Sequence, residues 1–141
     1  LFGYITHMTI FLDFDGTVVE HCYPKIGKIN PGSFKVINKL HNAGHRIVLN
    51  TYRADCADGT KEEAVMFMNN CPYLDFNILE TTSLKKPPPQ WENPNPSNIL
   101  MYIDDNSVGI PMRDGFHVGT KMVNWEELDK LFEKNGIYNM N

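Results

Sequence analysis

The stretch Thr9-Ile10-Phe11-Leu12-Asp13-Phe14-Asp15-Gly16-Thr17 constrains the fold more than any other part of the chain. Ile10, Phe11, Leu12 and Phe14 make a short apolar run of the kind found in a parallel strand covered on both faces. Two carboxylates, Asp13 and Asp15, are set into the end of that run. On a straight strand they share one face, and Gly16 permits a sharp exit that brings backbone close to a ligand. Two carboxylates beside a buried strand are costly unless they serve a purpose. The segment therefore predicts a buried strand with a polar site at its C-terminal end.

The rest of the chain alternates strand and helix signals. Phe34, Val36, Ile37 and Leu40 recur at helical spacing between Ser33 and Ala43, with Pro31 near the start and Gly44 as a stop signal. Arg46 to Asn50 reads as a second buried strand and Lys61 to Asn69 as a second helix. Leu74 to Leu79 is the expected third strand, Asn98 to Ile103 the fourth and His117 to Thr120 a short fifth. The Pro-rich stretch from Lys85 to Ser97 reads as loop. Asn124 to Lys134 is a final amphipathic helix, ended by Asn135-Gly136. This order predicts an α/β fold, a Rossmann-like three-layer sandwich with a central, mainly parallel sheet and helices on both faces. A length of 141 residues suits one domain. Residues 1–7 fall outside the pattern and are read as a leader left by a cloning site, with residues 8–141 as the single domain.

Composition narrows the function. A net charge of −4 gives no global basic field, which speaks against nonspecific binding to nucleic acid. No apolar run reaches the roughly 20 residues that a membrane helix needs. Cys22, Cys56 and Cys71 are odd in number and lack CxxC spacing, so they are read as reduced thiols in a cytoplasmic protein. His41, His45 and His117 show no metal-ligand spacing and are read as structural or surface residues.

Three expected strands end in polar clusters. These are Asp13 and Asp15; Asn50, Thr51 and Arg53; and Asp104, Asp105 and Asn106. Lys85 and Lys86 precede the fourth strand. In open α/β sheets the carboxyl ends of the strands form the ligand crevice. Four carboxylates gathered there repel one another, and a divalent cation relieves the repulsion. All-oxygen ligands select a hard ion such as Mg²⁺.

TIFLDFDGTV resembles the first motif of the haloacid dehalogenase superfamily of phosphotransferases. VLNT, ending at Thr51, resembles the second motif, Lys86 followed by Pro87 the third, and LMYIDD, ending at Asp104 and Asp105, the fourth. The successive spacings from Asp13 to Thr51, Lys86 and Asp104 are 38, 35 and 18 residues. The first and fourth motifs are specific; the other two persuade only in this order. The resemblance implies an Mg²⁺-dependent phosphomonoester hydrolase working through an aspartyl-phosphate on Asp13. Asp15 would be general acid toward the leaving oxygen and then base toward water. The crowded anionic site agrees with this split, because one carboxylate stays ionised on the metal while its neighbour holds a proton. Mg²⁺ would lie between Asp13, the Asp15 backbone carbonyl and Asp104 or Asp105. Thr51 and Lys86 would hold the phosphoryl oxygens, with Lys85 the other candidate lysine. Gly16 and Thr17 would contact the substrate, Arg53 would meet a second anionic group on it, and His21 and Tyr23 would line the entrance.

Members of this family often carry a cap domain, inserted after the first motif or after the third strand. About fourteen residues separate Gly16 from Pro31, too few for an independent domain. The resemblance is thus to a capless type, whose open site admits a large phosphorylated substrate such as a phosphoprotein, a nucleic-acid end or a glycan, unless another subunit covers it. The Pro-rich loop of residues 87–96, with Trp91, is a candidate partial lid. Three other readings stand beside this one. Thr51-Tyr52-Arg53 loosely resembles polynucleotide 3′-phosphatases. A signalling receiver domain also combines acidic residues, Mg²⁺, a Thr and a Lys. A partner-binding pseudoenzyme has no residue-level support.

Overall fold

The computed structural model describes residues 7–83 and 99–139. β1 (Met8–Leu12) is buried along its whole length. It pairs in parallel with β2 (Arg46–Asn50) on one side and β4 (Ile99–Ile103) on the other. β3 (Thr81–Thr82) adds in parallel to the outer edge of β2, giving the order β3-β2-β1-β4. The chain steps outward from β1 to β3 and then returns to the opposite side of β1. The gap between the carboxyl ends of β1 and β4 is therefore the topological switch point, where ligands of doubly wound sheets bind. Receiver domains use the different order 2-1-3-4-5.

Helices flank the sheet in an α/β fold of three-layer, Rossmann-like character. α1 (Ser33–Asn42) and α2 (Thr60–Asn70) follow β1 and β2. Ile10 and Leu12 of β1, Ile47 and Leu49 of β2 and Ile103 of β4 share one core with Phe34, Ile37 and Leu40 of α1 and Ala64 and Met68 of α2. Their spacing of two along each strand puts them on one sheet face. Phe11 and Val48, with alternate positions, are buried as well, and the Phe11 ring stacks on Tyr102 at 4.9 Å. α3 (Trp125–Lys134) brings Trp125, Leu128 and Phe132 into the same core. His45 is structural: its Nδ1 accepts the Met8 N–H at 3.0 Å, so its Nε2 donates to the Ile137 carbonyl at 2.8 Å.

Two expected strands are absent from their places. Leu74 to Leu79 is irregular, because the Asn69 side chain takes both backbone groups of Ile78, accepting its N–H at 2.7 Å and donating to its carbonyl at 3.3 Å. The third strand forms just beyond it, at Thr81. His117 to Thr120 is a turn; it joins β5 (Met112–Asp114) to β6 (Lys121–Val123), an antiparallel pair separate from the main sheet. The three cysteines are free thiols. Among the described residues, no helix is long and apolar enough to cross a membrane. The expected Pro-rich loop with its candidate lid and residues 1–6 of the expected leader lie outside the described residues.

Candidate active site

The crevice beyond β1 and β4 is a cleft of about 290 Å³, and Asp13, Asp15, His21, Tyr23, Asn50, Tyr52, Asp104, Asp105 and Asn106 line its described part. The fold thus brings together acidic residues of the first and fourth motifs, which are about 90 positions apart in the chain. Lys85 and Lys86 lie outside the described residues.

Asp13 follows β1, and its N–H continues the ladder by donating to the Ile103 carbonyl at 3.0 Å. Its Oδ2 accepts the Thr17 hydroxyl at 3.1 Å. Burial, then the charge of Asp105, push the Asp13 carboxyl well above the usual carboxylate range. Burial also raises the Asp105 carboxyl, with the Asp104 charge adding to the effect, and Asp13 and Asp105 lie within hydrogen-bonding reach of each other. Gly16 makes room for this pair. Its φ is +80°, and a Cβ there would stand 2.3 Å from Asp105 Oδ2. Asp104 Oδ1 accepts from the Asn106 N–H at 2.8 Å and the Ser107 hydroxyl at 2.9 Å, which fixes the turn after β4.

Several residues take places other than those expected. The Gly16 N–H donates to the Val19 carbonyl at 2.8 Å. Thr17 is fully buried; its hydroxyl orients Asp13, and its carbonyl accepts from Asn30 Nδ2 at 2.9 Å and Trp125 Nε1 at 2.7 Å. Both residues thus shape the surroundings of Asp13, and neither lines the described cleft. Thr51 is buried beneath the cleft, where its Oγ1 accepts the Arg53 N–H at 3.1 Å and caps the 3₁₀ turn Tyr52–Asp55.

Arg53 departs furthest from expectation. It is buried and does not line the cleft, and its guanidinium forks onto Asp15 with Nε on Oδ2 and Nη2 on Oδ1, both at 2.8 Å. Nη2 also donates to the Lys25 carbonyl at 2.8 Å, and Nη1 donates to Pro24 O at 3.2 Å and Thr60 O at 3.4 Å. All five donors are taken, so none is left for a second substrate anion. Anionic crowding was expected to favour a proton on Asp15; it falls instead on Asp13 and Asp105, because the Arg53 guanidinium stands against Asp15 as a counter-charge.

Sequence reasoning named Tyr52 in the Thr51-Tyr52-Arg53 segment and Asn50 and Asn106 in the strand-end clusters but gave none of the three a role of its own; all of them line the cleft. Asn50 closes β2, and that position at a strand's carboxyl end was the available signal. The Asn50 Oδ1 accepts the Thr82 hydroxyl at 3.0 Å, which turns its amide group toward β3.

Among the described residues, no three Asp, Glu, His or Cys side chains stand together as a ready cage for a metal ion. The donors nonetheless suit a hard cation of the Mg²⁺ kind. Such an ion keeps several waters and needs only one or two protein carboxylates, and Asp13 and Asp105 offer carboxylate oxygens to the same cleft, with His21 the described basic side chain on its lining. The Asp15 carboxylate is forked by Arg53, which leaves that residue's carbonyl as the group expected to reach an ion.

No family model and no curated protein matches the chain. A solved structure of a conserved protein from Bacteroides thetaiotaomicron is similar to it, with a TM-score of 0.60 and 26% identity over 92% of each chain. That likeness supports the fold.

Proposed function

We propose that this chain is a phosphomonoester hydrolase that forms a transient aspartyl-phosphate on Asp13, as a capless member of the haloacid dehalogenase superfamily. The observation that carries the reading is the meeting of Asp13 and Asp105 at the switch-point crevice, with Gly16 opening the space and Thr17 orienting the nucleophile. Two opposed carboxylates are poor at holding the fold and well suited to a cation and a phosphoryl group.

In the first displacement a bond forms between an Asp13 oxygen and phosphorus. The ester oxygen departs and takes a proton from Asp15. In the second displacement a water oxygen bonds to phosphorus, the bond to Asp13 breaks, and the water's proton passes to Asp15. Splitting hydrolysis this way replaces one hard step with two easier ones. In this reading the Lys86 ammonium holds phosphoryl oxygens and stabilises charge that grows in the transition state, while the buried Thr51 hydroxyl supports the turn that carries Tyr52 to the cleft. Asp13 and Asp105 would hold Mg²⁺, with Asp104 and the Asp15 carbonyl as further oxygen ligands, and the ion would supply neutralisation of phosphoryl charge. The open described cleft suits a large phosphorylated substrate. Arg53, the residue that would greet a second phosphate in a nucleic-acid end, is already occupied, so the polynucleotide reading is not favoured. The strand order speaks against the receiver reading.

Hydrolysis of p-nitrophenyl phosphate with Mg²⁺ tests the assignment. The wild type turns over, and Asp13→Asn loses on the order of 10⁴-fold or more in kcat, as removal of a nucleophile does. Equal turnover by both proteins would reject Asp13 as the nucleophile.

A further inference from the structure

Arg53 does not line the cleft, yet it is the described cation most fully committed to a residue that does. The Asp15 side chain keeps a 12% exposed edge at the cleft wall, while the Arg53 side chain behind it is wholly enclosed. The guanidinium lies against two rings, Phe14 and Tyr23, each 5.2 Å from Cζ. A fork held by five acceptors and two ring faces has one orientation available to it. A carboxylate carries about four lone-pair sites; the fork uses two, and the others are left for the cleft. The same guanidinium grips the Pro24 and Lys25 carbonyls, on the loop that brings His21 and Tyr23 to the cleft. The Tyr23 hydroxyl adds a second fastening to Asp58 at 2.7 Å.

We propose that Arg53 is a positioning residue, which sets the Asp15 carboxylate at the cleft wall and ties it to the loop carrying His21 and Tyr23. The proposal rests on the reading of Asp15 as the group that moves the proton. Arg53 acts through Asp15 and touches no substrate atom. Its loss therefore shows in turnover more than in binding, and most for leaving groups that need a proton.

The test compares kcat and KM for wild type, Arg53→Lys, Arg53→Gln, Asp15→Asn and the double variant Asp15→Asn/Arg53→Gln. The substrates are p-nitrophenyl phosphate, whose leaving group departs readily, and glycerol phosphate, whose alkoxide does not. Arg53→Gln should lower kcat on glycerol phosphate roughly a hundredfold, the cost of a misplaced catalytic group. The loss on p-nitrophenyl phosphate should be much smaller, with KM unchanged. Arg53→Lys should recover little, because an ammonium offers no fork. In the Asp15→Asn background, Arg53→Gln should add nothing further, since the two residues act as a unit. Equal losses on both esters, losses that multiply in the double variant, or a rise in KM alone would overturn the proposal. Unfolding of both Arg53 variants would assign the residue to the fold alone and overturn it too. A wild type inactive on both esters would sink the hydrolase reading and the proposal with it; with an active wild type, only the proposal is at stake.

Discussion

Gly16 and Gly59 separate two reasons for a glycine. Both have left-handed backbones, with φ of +80° and +86°, but a Cβ at Gly59 meets nothing within 4 Å while one at Gly16 would collide with Asp105. Gly59→Ala should therefore cost only the conformational strain, about 1–2 kcal/mol, and leave turnover unchanged. Gly16→Ala should cost more than that and abolish hydrolysis, because Asp105 has to leave Asp13. Urea melts and p-nitrophenyl phosphate turnover on the two variants measure the difference, and equal behaviour would show that Asp105 can yield freely. Asp58 offers a titration away from the acidic cleft. The Thr60 hydroxyl, then the Tyr23 hydroxyl and the Thr60 N–H, hold its carboxyl down to about 2 from 3.8. Between those values the unfolded chain binds more protons than the folded one, so the stabilisation is present above about 4 and is lost as the pH falls toward 2. Urea midpoints from mildly acidic pH downward should fall more steeply for wild type than for Asp58→Asn; parallel curves would refute the coupling. At this scale the sequence made the acidic residues legible, because Asp13, Asp15, Asp104 and Asp105 stand where apolar runs stop. It could not show the partnership of Arg53 with Asp15, since those residues are 38 positions apart and only folding decides whether a guanidinium near a strand end turns to solvent, to substrate or to a neighbour.

At the scale of elements, the floor of the cleft is fastened from behind. Asn30 Nδ2 bridges the carbonyls of Thr17 and Val123, so the loop after β1 is tied to β6 just before α3 begins. α3 starts at Asn124, whose Oδ1 accepts the Glu127 N–H at 3.1 Å, and the next residue, Trp125, donates to the same Thr17 carbonyl. Replacing Asn124 with Ala removes the cap and should cost about 1 kcal/mol, read as a lower urea midpoint with the activity retained. No change in midpoint would mean that Trp125 alone holds the helix start. Elements with long apolar periods were legible in the sequence: β1, α1, β2, α2, β4 and α3 lie within a residue or two of their expected places. The hairpin β5-β6 was not. Its strands are three residues each, too short to establish a period, and the turn between them contains Val118, which reads as apolar but is fully exposed. β3 was displaced for a different reason. Leu74-Asp75-Phe76-Asn77-Ile78-Leu79 has a strand's alternation, yet the side chain of Asn69 competes for the Ile78 backbone groups that a ladder would need.

At the scale of the whole molecule, the parallel order β3-β2-β1-β4 places two acidic strand ends side by side, so the fold accumulates negative charge at its switch point. Without a cation that charge is a burden on stability; in the proposed reading Mg²⁺ turns it into a binding site. Anything that binds the folded chain alone stabilises it in proportion to the logarithm of its concentration. At a hundredfold excess over Kd the gain is about 2.7 kcal/mol, which for a chain of this size raises Tm by roughly 8–11 °C. Mg²⁺ should therefore raise the melting temperature of wild type, and a chelator should reverse the rise. Asp105→Asn should separate the two contributions of that residue. In chelator near neutral pH it should melt at or above wild type, because one member of the opposed pair is gone. In Mg²⁺ it should gain much less than wild type, because a ligand is gone with it. Thermal melts of both proteins across a Mg²⁺ titration read both arms at once. A wild-type Tm indifferent to Mg²⁺, or an increment that survives Asp105→Asn undiminished, would show that the meeting of β1 and β4 does not hold the ion and that the acidic ends have another reason to converge.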